Sequence, residues 1–267
     1  MRNQLAVQLY TLHKLLGTEA GFASSLEKIS AIGYPAVQLS AVGAMNGESP
    51  EVSAERARQL LDDNGLKCIA THRSWDSLAK NTEFEIEFHQ TLGCDFTAIG
   101  GLPGEYGSRG FEGYQAFLVD SAPVIAKLKA AGIRFGYHNH AHEFQRAFFK
   151  DGFPYTFYDE FIENGGPDFL LEVDVYWVSH GGANPETVMR RAAGRVPVIH
   201  VKDKEVEGNE SFMAPIGEGN LDWRNLIPAC DAAGVEWYAV EQDVCRRDPF
   251  DCLKSSIEFL TQGVFGG

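Results

Sequence analysis

The sequence predicts an α/β protein built as a single (β/α)₈ barrel spanning residues 1–267, and three observations predict it. Short apolar runs of strand type alternate with longer amphipathic stretches of helical type along the whole chain. Polar side chains gather at the C-terminal ends of those runs, as they do in parallel strands buried on both faces. The first run is followed by QLYTLHKLLG and not by the glycine-rich phosphate loop that would open a doubly wound sheet.

The first four strand candidates are Leu5 to Tyr10, Pro35 to Ser40, Lys67 to Thr71 and Phe96 to Gly100. Arg134 to His140, Phe169 to Asp174, Val196 to Lys202 and Trp237 to Gln242 follow, all rich in β-branched or aromatic residues. Helical stretches between them carry recognisable ends. Ser53 precedes AERARQLLDDN and Gly65 follows it; Gly113 to Lys129 runs up to Gly132; Asp222 precedes WRNLIPACDAA, which Gly234 closes. Two stretches exceed an ordinary strand-to-helix loop, Gly101 to Gly110 and Lys204 to Asn220, and both would lie over the catalytic mouth of a barrel. Nothing rich in serine or proline divides the chain.

Bulk properties narrow the function. A formal charge of −14 over 267 residues argues against a nucleic-acid partner, whose phosphates demand a basic surface. No segment offers the roughly 20 apolar residues of a membrane span, and the N-terminus MRNQLAVQLYTL lacks a signal-like apolar run. The five cysteines form no C-x-x-C pair, which fits reduced thiols in the cytoplasm. A soluble cytoplasmic enzyme acting on a small molecule is the reading that remains.

The strand-end polar residues carry the chemistry. If the barrel closes, the ends of strands five to eight bring Glu143, Asp174, His200 and Glu241 around one point. Three carboxylates and an imidazole suit a hard or borderline divalent cation, Mn²⁺, Mg²⁺, Co²⁺ or Zn²⁺. Without one, like charges in a single cavity would repel and raise each other's pKa. The fifth strand is ambiguous, because YHNHAHEF offers His138, His140, His142 and Glu143. Alternation puts His138 and His140 on one side. Glu143 is the preferred metal ligand, since a carboxylate opposite Glu241 completes an acid/base pair; His138 is the fallback.

The remaining polar residues suit substrate. His140 is placed to bind hydroxyl groups, and His72 with Arg73 either contacts substrate or bonds locally. Lys202 and Asp203 fit a substrate-binding cation and its ion-pair partner. Glu172 shares a strand face with Asp174 but sits deeper, behind the ligands. Trp177, Tyr10 and Trp75 offer an apolar wall for a sugar ring, or ordinary aromatic packing.

With these residues in view, VQLYTL, YHNHAHEF, LEVDVYWV, IHVKD, PIGEGNLDW and VEQD, in that order, resemble the xylose-isomerase-like TIM-barrel superfamily across essentially the whole chain. YHNH and GEG-x-x-DW are most similar to the sugar phosphate isomerase/epimerase group. The resemblance implies a divalent metal on Glu143, Asp174, His200 and Glu241, with Glu143 and Glu241 as the catalytic pair and His72, His138, His140 and Lys202 toward substrate. In the ketose epimerases of the family the strand-five glutamate stands where this chain has His138. The dimers common in the family imply a homo-oligomer.

The function expected is a metal-dependent sugar isomerase or epimerase moving a proton next to a carbonyl through an enediolate. The alternative is a metal-dependent lyase or dehydratase acting on a keto-sugar or keto-inositol, which a histidine in place of the strand-five carboxylate would favour. Phosphodiester cleavage, as in endonuclease IV, conflicts with the net charge. A non-catalytic sugar-binding barrel would leave the carboxylates idle.

Overall fold

The computed structural model describes residues 2–47 and 49–262. Eight parallel strands close into a barrel: β1 Leu5–Gln8, β2 Ala36–Leu39, β3 Lys67–His72, β4 Phe96–Ile99, β5 Arg134–His138, β6 Phe169–Asp174, β7 Val198–Val201 and β8 Trp237–Val240. Neighbours in sequence are neighbours in the sheet, and β1 pairs with both β2 and β8 to complete the ring. This is the (β/α)₈ arrangement that the alternation predicts.

Helix ends follow the capping chemistry. The Ser53 side chain accepts from Arg56 N at the start of Ala54–Asp63, and Asp222 does the same for Arg224 N before Trp223–Ala233, which Gly234 closes with a left-handed φ of 84°. The helix expected from Gly113 begins earlier and runs Phe111–Ala130.

Several strands end sooner than their apolar runs. β5 stops at His138, β7 at Val201 and β8 at Val240, so Asn139, His140, Lys202, Glu241 and Gln242 belong to the mouth loops. Two antiparallel hairpins add to the barrel: Arg146–Lys150 with Phe153–Thr156, and Asp203–Glu207 with Glu210–Ala214. The second occupies much of the long stretch after β7. The stretch after β4 holds a short helix, Gly104–Gly107.

The apolar residues form two cores. The larger lies between the strands and the surrounding helices and includes Val7, Val37, Tyr137, Val173 and Val201. The smaller fills the barrel lumen with Ala6, Ala36, Ala70, Ala98, Val198 and Ala239 around Phe96. Phe96 takes the space a side chain at position 136 would need, for a Cβ on Gly136 would lie 2.4 Å from its ring. Strand alternation sends Gln38, His138, Glu172 and His200 into the same lumen above this floor. Register pairs His138 with Glu172 and Asp174 with His200. No helix among the described residues is long and apolar enough to cross a membrane.

Candidate active site at the barrel mouth

Asp174, His200 and Glu241, at the ends of β6, β7 and β8, present ligand atoms that all lie within 4.8 Å of one another. Asp174 and His200 are fully buried and Glu241 nearly so. His200 Nδ1 lies 2.9 Å from Glu241 Oε2 and 3.9 Å from Asp174 Oδ2. These three atoms are buried without a hydrogen bond of good geometry, although Lys202 Nζ stands 2.9 Å from Asp174 Oδ2 and 2.7 Å from Glu241 Oε2. A divalent cation would meet three converging ligand atoms here, in place of the proton on His200 Nδ1 and beside the charge of Lys202. The donor set fits one.

The hydrogen bonds of His200 assign its Nε2. Glu172, ionised, only accepts, so Gln38 must turn its amide nitrogen to it, and Gln38 Nε2 lies 2.8 Å from Glu172 Oε1. Gln38 Oε1 is then the acceptor 2.8 Å from His200 Nε2, which therefore carries the proton. Against burial, Glu172 and Glu241 raise His200 to about 10, so without a metal Nδ1 is protonated too and faces Glu241 Oε2 at 2.9 Å; a bound cation would take the place of that proton.

Electrostatics divides the carboxylates. Burial pushes Asp174 up to about 6 in spite of Lys202, whose charge opposes the shift. Burial also acts upward on Glu241, but Lys202 and then His200 more than reverse it and hold the carboxyl well below its usual range. Glu172 is likewise held low, burial being outweighed by His200 and His72. Lys202, 1% exposed, is kept charged against burial by Asp174, Glu241 and Asp243.

Glu143 lies elsewhere. Its carboxylate accepts from Tyr137 Oη at 2.7 Å and from the backbone N of His140 at 2.8 Å, and His142 Nε2 stands 3.2 Å away. Tyr137 alternates with His138 and so faces the helices, where its ring packs on Phe161. Glu143 follows it to the outer side of β5 and joins neither cluster of ligand atoms. His138, the fallback, points into the lumen with Nδ1 3.5 Å from Glu172 Oε2.

The residues assigned to substrate divide in the same way. His72 bonds Glu172 through Nε2, and Arg73 makes a double bond pattern to Glu85 at 2.7 Å on each nitrogen, so both are locally engaged. His140 stacks obliquely on Trp177, ring centroids 5.4 Å apart, and burial, then the charge of Lys202, lower it to about 4. Both line a cavity of about 440 Å³, together with Gly100, Leu102 and His180. Trp177 Nε1 is buried with no partner.

Asp203 is not the partner of Lys202. It gathers the backbone N–H groups of Lys204, Gly217, Gly219 and Leu221 and the indole N–H of Trp223, which knots the GEG-N-L-D-W turn. A Cβ on Gly219 would lie 2.4 Å from Asp203 Oδ1, which explains that glycine. The anion that meets Lys202 from outside the triad is Asp243, 2.7 Å away and just past the VEQ run. Position in sequence carried no sign of this pairing, because it crosses between two strand ends.

A model of the xylose isomerase-like TIM barrel family matches residues 26–262. The chain belongs to this family. Among solved structures it resembles a sugar phosphate isomerase/epimerase from Parabacteroides distasonis ATCC 8503, with a TM-score of 0.79, 21% identity, and coverage of 99% of this chain and 96% of that one. It also resembles an L-ribulose 3-epimerase, TM-score 0.69 and 16% identity over 96% and 92% of the two chains. The probable 3-DHS dehydratase AsbF of Bacillus anthracis gives a TM-score of 0.68 and 14% identity over 97% and 99%. At these identities the likeness is one of fold. No curated protein sequence matches. These structures share the barrel while their named activities differ, which leaves the site to argue the reaction.

Proposed function

We propose that this family member is a divalent-metal-dependent sugar isomerase that moves a proton between carbons next to a carbonyl through an enediolate, with Glu241 as its base. The observation that carries the reading is the convergence of Asp174 Oδ2, His200 Nδ1 and Glu241 Oε2, all buried and within 4.8 Å of one another, at the mouth of the barrel. A cation held there, Mn²⁺, Mg²⁺, Co²⁺ or Zn²⁺, would supply polarisation of the carbonyl and neighbouring hydroxyl.

The chain's own residues do the rest. Oε2 of Glu241 faces the ligand set, so Oε1 is the atom to take and return the proton. Lys202 and His200 keep this carboxyl ionised at neutral pH but also make it a weak base, so abstraction depends on an acidified carbon. Trp177 offers a ring face and a free N–H to the sugar, and neutral His140 beside it can bond a hydroxyl. The cavity of about 440 Å³ that His140 and Trp177 line, which none of the three proposed metal ligands borders, has room for the far end of a monosaccharide-sized ligand.

The position of Glu143 sharpens the reaction type. Epimerisation through two opposed carboxylates needs a second base across the substrate, whereas aldose–ketose isomerisation runs with one base on one face. Of the two glutamates expected to oppose each other only Glu241 reaches the ligand cluster, which supports the second. The same single base also serves elimination from a keto-sugar or keto-inositol, so the lyase reading stands second. His140, neutral above about pH 4, is a poor source of the proton such a leaving group needs. Incubation with Mn²⁺ and a panel of aldoses and ketoses in deuterated water tests the proposal. Deuterium at the carbon beside the carbonyl, with interconversion of the sugars, is expected; release of water without interconversion would replace isomerase by lyase.

A further inference from the structure

Below the proposed catalytic ligands, one carboxylate organises three imidazoles. Glu172 Oε1 is occupied by Gln38 Nε2, so Oε2 alone faces inward. Around it stand His72 Nε2, in a short contact, His200 Nε2 at 3.1 Å and His138 Nδ1 at 3.5 Å. His200 needs nothing more here, because its Nε2 proton already has Gln38 Oε1. His138 does. It is 4% exposed, and its Nδ1 is buried with no hydrogen bond. An unpartnered ring nitrogen in so polar a pocket needs an explanation.

We propose that His72 Nε2, His138 Nδ1 and Glu172 Oε2 form a second cation site, distinct from the one at Asp174, His200 and Glu241, that takes a first-row divalent transition ion. Two imidazoles and one carboxylate, from β3, β5 and β6, favour zinc, cobalt or iron(II) over magnesium or calcium, which prefer all-oxygen shells. The atoms belong to a group lying within 4.8 Å of one another. Ligands about 2.1 Å from a tetrahedral ion stand about 3.4 Å apart, and His138 Nδ1 to Glu172 Oε2 is already 3.5 Å. The short His72 contact must open, and His72 is the ligand placed to do so: it borders a pocket of about 50 Å³ shared with Ser40, Asn46 and Arg73. That pocket is also the route by which an ion would enter.

The test is cobalt stoichiometry in the full chain after removal of bound metal by chelation, read by calorimetry and by visible d–d absorption. Two equivalents per chain are expected, one lost in His138→Gln and in Glu172→Gln, the other lost in Asp174→Asn. A single equivalent that survives His138→Gln but not Asp174→Asn overturns the second site and leaves the proposed catalytic site standing. A single equivalent with the reverse pattern keeps the second site and removes the catalytic one. Should these variants fail to fold, anomalous diffraction from cobalt-soaked crystals of the unaltered chain decides: a peak among His72, His138 and Glu172 is expected, and none there overturns the proposal.

Discussion

Lys202 Nζ lies 2.7 Å from Glu241 Oε2, so the base proposed for catalysis is paired with an ammonium group that is itself buried. The same nitrogen reaches Asp174 and Asp243, making Lys202 the internal counter-charge to three carboxylates.

Removing that charge leaves buried anions uncompensated. Lys202→Met is expected to destabilise the metal-free chain by about 3–5 kcal/mol, the cost typical of breaking a buried pair from one side. Mn²⁺ should restore part of the loss, since a cation at Asp174 and Glu241 replaces the missing charge. Thermal unfolding with chelator and with Mn²⁺ checks this. Equal losses under both conditions would show that Lys202 does not act against the same charges as the metal.

Asp203 ties five N–H donors in the segment from Lys204 to Trp223, and Asp203→Ala strands them together. A loss of about 3 kcal/mol or more is expected, seen as a melting temperature lower by roughly 6–12 °C. Because Asp203 bonds no proposed ligand, metal stoichiometry should be unchanged. A melting temperature within about 2 °C of the unaltered chain would contradict the knot.

His140 gives a pH dependence with a definite sign. Its pKa falls from the ordinary 6.5 to about 4, first through burial and then through Lys202. The unfolded chain therefore binds more protons between these values, so the stability His140 contributes is complete above about pH 6.5 and is lost as pH falls toward about 4. His140→Asn should flatten the fall in melting temperature across that window. An unchanged slope would mean that the ring is solvated in the folded state.

Much of the barrel is legible because its signals are local. Alternating runs, Ser53 and Asp222 as caps and Gly234 as a stop each act within a few residues. The strand runs in the sequence extend past the strand ends because polar mouth residues such as Asn139 and Lys202 follow them directly, where the sheet no longer pairs them. Both hairpins had local signals too. Asp151-Gly152, with φ of 53° and 84°, and Gly208 mark their turns, signals weaker than the barrel pattern around them. Glu143 shows the harder limit. Four candidate side chains fall within the six residues 138–143, at the end of β5 and just after it, and the packing of Tyr137 against the helices decides that Glu143 turns outward. The ties from Gln38 to Glu172 and His200, and from Lys202 to Asp243, join strands far apart in sequence, so spacing does not encode them.

The central claim is that Glu241 alone transfers the proton while Glu143 holds the loop after β5. It is tested most directly by deuterium exchange from solvent into a turned-over sugar by Glu241→Gln and Glu143→Gln, each loaded with Mn²⁺ and shown to be folded. Glu241→Gln is expected to lose exchange by about 10²–10⁴-fold, and Glu143→Gln to keep most of it. Exchange lost equally in both variants would contradict the account and restore the opposed carboxylate pair.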